Sequence, residues 1–135
     1  ILMEQYCKHI NIEALTMIDM VKRQIMPAVI KYLTGLAASI NGVKTAAALA
    51  DVSTQESILV EVSQVLALVK EKLNNLESVT AEAKEINDIY QRGVFYRDRV
   101  CQEMKMLRID VDRLETMMDG DLWPLPTYAE MLFML

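Results

Sequence analysis

Between Ser53 and Arg92 the chain runs without a glycine or a proline, and its apolar residues recur at steps of three, four and seven. Ile58, Val62, Val65, Val69, Leu76, Val79, Ala83, Ile86 and Tyr90 carry the period. Written as heptads, Ile58, Val65, Lys72, Val79 and Ile86 take one core position and Val62, Val69, Leu76, Ala83 and Tyr90 the other. Such a pattern is incompatible with a strand and puts one face of a long helix against other helices. Leu59, Leu66 and Leu73 repeat beside the stripe and widen it past a two-stranded seam, as a helix with two neighbours requires. Ser53-Thr54-Gln55-Glu56 reads as a capping box at its start. A helix over 53–92 is expected, about 58 Å long at 1.5 Å per residue.

A second run continues the theme. Val100, Met104, Leu107, Val111, Leu114 and Met118 alternate steps of four and three after an interruption at Gly93, predicting a helix over 94–119. Arg97, Arg99, Glu103, Lys105, Arg108, Asp112 and Arg113 read as its solvated face, and Asp110 with Asp112 as surface acids among basic neighbours. Gly120 stands where a left-handed helix terminator is expected. The first run is noisier: Leu15, Ile18, Ile25, Val29, Tyr32, Leu36 and Ile40 share a face over 3–41, closed by Asn41-Gly42. Pro27 falls inside it and predicts a kink, with the apolar period continuing in phase beyond.

Three long helices with short connections predict an all-α fold, an elongated antiparallel three-helix bundle over 1–121. Residues 122–135 then form a tail punctuated by Trp123, Pro124 and Pro126 and rich in apolar groups, including Tyr128, Leu132 and Phe133. Those six are the candidate anchors by which the tail docks. Each proline disfavours helix for the residue before it, so Trp123 to Pro126 takes an extended path. Thr127 to Glu130 repeats the capping-box pattern and predicts a short terminal turn.

Composition excludes several functions. The net charge of −5 with dispersed cations argues against a nucleic-acid surface or an anionic membrane as partner. No stretch has the roughly 18 apolar residues of a membrane span. Cys7 and Cys101 lie far apart without CxxC spacing and read as reduced thiols, and a single histidine makes a Cys/His zinc site improbable. There is no phosphate-binding glycine loop. His9 lies two residues from Cys7, on a different side of a helix, so the two form no catalytic pair. Asp119-Gly120-Asp121 lacks the ligand ladder of a calcium loop. No catalytic, cofactor-binding or metal-binding residue is expected. The chain opens in mid-pattern at Ile1-Leu2-Met3-Glu4, as a piece of something longer would.

Two stretches resemble a known family. "NIEALTMIDMVKRQIMPAV" (Asn11 to Val29) and "LWPLPTYAEMLF" (Leu122 to Phe133) are similar to the C-terminal region of type III glutamine synthetases, the large bacterial form. That family ends in a W-P-x-P-T-Y block, matched here by Trp123, Pro124, Pro126, Thr127 and Tyr128; Ala129-Glu130-Met131 departs from the Gly-Asp-Leu expected next. From Gly42 to about Tyr90 only helical periodicity agrees. The resemblance implies a cytoplasmic parent that joins glutamate and ammonia at the expense of ATP, with Mg or Mn, in ring-shaped homo-oligomers. It places the metal-binding and phosphate-contacting residues upstream, and no catalytic position carries over to this chain. The piece is then an accessory helical domain, packed on the upstream catalytic domain or between neighbouring subunits. The alternative from a different class is a free-standing helical adaptor binding partner helices.

Overall fold

The computed structural model describes residues 2–126. Among these, every regular element is helical: α1 (Leu2–Met20), a π-helical turn (Val21–Ile25), α2 (Met26–Ala46), α3 (Ser53–Lys84), α4 (Ile89–Phe95), a second π-helical turn (Tyr96–Val100) and α5 (Cys101–Met117). The π-turns join their neighbours without a break, so the chain forms three rods, α1–α2, α3 and α4–α5. Consecutive rods are joined by short turns and run antiparallel, giving the all-α bundle expected.

The core is a column of small and medium aliphatic groups. Val62, Val65, Val69, Leu73 and Leu76 of α3 face Val21, Ile25 and Val29 of the first rod and Val100, Leu107 and Leu114 of the third, all fully buried. Three polar contacts tie the rods pairwise: Lys22 Nζ to Glu77 Oε2 at 2.9 Å, Lys72 Nζ to Asp110 Oδ2 at 2.8 Å, and the Tyr96 hydroxyl to Asn11 Oδ1 at 3.4 Å. The first rod outruns the third. Beyond Met117, α2 has only α3 beside it, and within 33–60 just Ile40 and Val52 are buried, so this end is a two-helix arm with little core of its own.

Several sequence expectations are corrected at the helix level. Pro27 lies at the start of α2, just after the first π-turn, where the Met26 N–H donates to the Val21 carbonyl five residues back. The wider turn takes up the donor that proline lacks, and it inserts one residue into the helical count. Val21, Ile25 and Val29 therefore step by four across it, and upstream the stripe shifts to Cys7, Ile10 and Ala14. The apolar period does pass Pro27 in phase, through Ile25, Val29 and Ile40, but it is lost upstream of the π-turn, where Leu15, expected in the core, is 43% exposed. Asn41-Gly42 does not close the rod either, since α2 runs on to Ala46.

The second helix ends at Lys84, not Arg92. Asp88 starts α4 anew, its carboxylate accepting from the Gln91 N–H at 2.9 Å, while Arg92 Nε donates to the freed Ile86 carbonyl at 2.8 Å. The change of direction leaves Tyr90 68% exposed, outside the core that the heptad frame assigns it. Gly93 does not interrupt; it is buried within α4, where a Cβ would collide with the Met3 thioether. The Met3 side chain occupies the space that a Cβ at Gly93 would take.

The start of α3 is held by Asp51 rather than by a Ser53–Glu56 box. Its carboxylate accepts from the Ser53 N–H at 3.0 Å, and that backbone hydrogen bond holds its pKa below the ordinary value. A carboxyl whose pKa is depressed on folding stabilises above its unfolded value, about 3.9, and loses that effect as pH falls through the folded value. Amide exchange at Ser53 to Glu56 is expected to speed up below about pH 4. In Asp51→Asn, which keeps the acceptor and removes the titration, this acid-linked step should vanish. At the far end Gly120 has no positive φ. Met118 turns extended, and Asp119 makes the stop: its side chain accepts from the Asp121 N–H and its carbonyl from the Leu122 N–H, both at 3.0 Å.

Candidate functional site

The stop at Asp119 folds the chain back along the bundle. Trp123 enters the core at 7% exposure, and Leu122 and Leu125 pack beside it. Pro124 and Pro126 face solvent, and the chain bends at Pro124 and Leu125 instead of following the extended path expected. Tyr128, Leu132 and Phe133, the other candidate anchors, lie outside the described residues, as does the turn expected over 127–130.

Trp123, Leu125 and Pro126 form one end of an apolar groove of about 440 Å³ between α1 and α5. Ile12, Met17 and Met20 line the α1 side, Met104 and Val111 the α5 side. The groove exists because α1 and α5 barely touch: α5 spends its packing face on α3. Ile12 is left 63% exposed. Its rim carries Glu13, Asp112 and Glu115 against a single cation, Arg108, which stands 3.9 Å from Asp112.

A second recess of about 490 Å³ is polar and lies between α1, the end of α3 and α4. Lys8, Lys84 and Arg92 line it with Glu4, Cys7 and Tyr96. Burial pushes both the Cys7 thiol and the Tyr96 hydroxyl up, with the Arg92 charge opposing this only in part, so both remain protonated at neutral pH. Neither is poised as a nucleophile. The Tyr6 hydroxyl is raised as well, chiefly by burial and then by neighbouring Cys101. His9 stays outside the recess, its Nε2 3.1 Å from Glu13 Oε1 on an exposed helix face.

One ionic arrangement escaped the sequence reading. Asp110 is not a surface acid: it is 3% exposed, with Lys72 at 2.8 Å and Arg113 at 3.4 Å. A lysine at a heptad core position is the signal that could have found it, because a cation there demands a carboxylate from a facing helix. Its chemistry is that of a satisfied internal pair, and neither residue lines either cavity.

For a divalent metal, the residues present do not fit. Among the described residues no three His, Cys, Asp or Glu side chains converge where an ion could be held. Cys7 and Cys101 are free thiols. Among the same residues no helix is long and apolar enough to cross a membrane.

Comparison with known proteins shows what the bundle is similar to. Residues 1–44 match the family described as glutamine synthetase C-terminal domain. The chain is 29% identical to a type-3 glutamine synthetase of Dictyostelium discoideum, an alignment covering 99% of the chain and 19% of that protein. A glutamine synthetase of Butyrivibrio fibrisolvens is 27% identical over 100% of the chain and 19% of its own length. One from Bacteroides fragilis is 22% identical over 97% of the chain and 18% of its length. No solved structure matches the chain. Over residues 1–44 the all-α bundle is similar to a glutamine synthetase C-terminal domain. One of these relatives is a type-3 enzyme, the form that the two sequence blocks resemble, and its source, Dictyostelium, shows that the form is not confined to bacteria. The chain spans about a fifth of the length of the curated relatives it matches.

Proposed function

We propose that this domain is a structural and assembly element of an ATP-dependent glutamate–ammonia ligase and contributes no catalytic residue to it. The observation that carries the reading is the ratio of lengths: nearly the whole chain aligns with 19% of a type-3 glutamine synthetase, so about four-fifths of such a protein lies outside it. Substrate, ATP and the Mg or Mn ions that the resemblance implies belong to that remainder. The supporting feature within the domain is what its helices leave uncovered. Ile12, Ile30, Val60 and Ile109 are each more than half exposed, and apolar residues so placed are available to an upstream catalytic domain or to a neighbouring subunit of a homo-oligomer. A cytoplasmic location goes with this reading, supported by the two unpaired cysteines.

The test has two arms. The isolated domain, assayed with glutamate, ammonium, ATP and magnesium, is expected to show no turnover; measurable glutamine formation would overturn the division of labour. Removing the domain from the parent enzyme is expected to change its assembly state in light scattering. An unchanged oligomer would leave the assembly role without support.

A further inference from the structure

We propose that the polar recess between α1, the end of α3 and α4 binds a small molecule through a compact dianionic group, a phosphate monoester or a dicarboxylate. Its lining gathers three cations from three helices, Lys8 of α1, Lys84 of α3 and Arg92 of α4, against one acid, Glu4. None of the three cations forms an ion pair with a described residue. A chain whose formal net charge is −5 thus presents a positive recess. Like charges gathered without a counter-charge repel, so an anion seated among them relieves that repulsion as well as making new contacts.

Arg92 is set in place by the fold itself. Its Nε donates to the Ile86 carbonyl at 2.8 Å, which fixes the half-buried side chain, and no described residue takes its two terminal nitrogens. A guanidinium presented by those two nitrogens matches a pair of oxygens on one carboxylate or phosphate. Asn11 adds a directed donor. Its Oδ1 accepts from the Tyr96 hydroxyl at 3.4 Å, so the amide nitrogen is the end left for a ligand. Cys7 and Tyr96, both kept protonated by burial, add no negative charge to the wall.

Size and depth favour a small molecule over an acidic protein surface. The recess of about 490 Å³ falls within the range of about 300–1,000 Å³ for small-ligand sites. A protein surface reaches Lys8 and Lys84, which are exposed, more readily than the half-buried Arg92. A dianionic group fills only part of the recess, which leaves room for a modest organic body against Ile89.

The test is a titration of the 135-residue chain followed by NMR of its backbone amides. The titrants are sodium phosphate, sodium succinate and, at matched ionic strength, sodium chloride. Phosphate or succinate is expected to give saturable shifts at Cys7 to Asn11, Lys84 to Asn87 and Arg92, half-complete at about 1 mM or below, where chloride gives none. A response to phosphate alone identifies a phosphate-bearing ligand, to succinate alone a dicarboxylate, and to both a site that reads charge and size. Lys8→Gln combined with Lys84→Gln, both at exposed positions, should weaken binding about ten-fold or more with helical circular dichroism unchanged. Glu4→Gln, which removes the one acid of the lining, should tighten it about three-fold. No saturable response to either anion, equal shifts with chloride, an affinity indifferent to the lysine pair, or weaker binding by Glu4→Gln would each overturn the proposal. These readouts need no enzyme activity, so their failure is separate from failure of the assembly role.

Discussion

Replacing Trp123 with alanine is expected to destabilise the domain by about 3–5 kcal/mol, the range for removing a large buried aromatic. Trp123 joins the core cluster together with Leu122 and Leu125, so its loss leaves a void that the short turn at Asp119–Leu122 cannot close by sliding. The measurement is a urea titration followed by helical circular dichroism, because the substitution removes the only tryptophan and with it the fluorescence probe. Pro124→Ala serves as the control. Pro124 is exposed and donates no contact to the core, so its effect should stay below about 1 kcal/mol, the scale of a loop proline's effect on the unfolded chain. Equal losses for the two variants would mean that the tail is held by its rigid path rather than by the indole.

The second large effect concerns Lys72 and Asp110. Lys72→Met should cost about 2–4 kcal/mol, somewhat under the usual loss on breaking a buried pair, because the lysine side chain keeps 19% of its surface in water. What remains is a carboxylate at 5% side-chain exposure with only the longer contact to Arg113. The double variant Lys72→Met, Asp110→Leu is expected to recover to within about 1 kcal/mol of the parent domain, since well-packed apolar groups replace a buried ion pair at little net cost. Thermal denaturation of the singles and the double closes the cycle. A double variant as unstable as the sum of the singles would mean that Arg113 or the local packing, rather than the pair, carries the energy.

Much of this architecture is legible in residue order, and the exceptions share a cause. The stripe of α3 from Val62 to Ala83 is where the period places it, because an uninterrupted helix keeps its phase at 3.6 residues per turn. Val100, Leu107 and Leu114 of the third rod are likewise buried as spaced. Leu15 and Tyr90 were misplaced by local events that periodicity does not register. A π-turn adds one residue to the count before Leu15 is reached from Ile25, and the cap at Asp88 re-aims the chain before Tyr90. Asn87-Asp88 did contain that second signal, an N-cap residue in front of a new apolar run. Gly93 misled in the opposite sense, since a glycine read as a break lies inside α4, with the Met3 side chain packed over it.

The candidate site was half legible. Trp123 is one of six candidate anchors that the sequence offered; it is buried, Pro124 and Pro126 are exposed, and the other three lie outside the described residues. The groove it closes was not readable, because Ile12, Met17, Met104 and Val111 lie on different helices and their convergence depends on how far α1 and α5 splay.

By itself, then, the order of residues determined the helices, most of their buried faces and the family resemblance, since each rests on local spacing or on contiguous blocks. Only the tertiary structure decided the π-turns, the pairing of Lys72 with Asp110 and the open groove beside Trp123. Those depend on which helix faces which, and that is settled by packing all three rods at once.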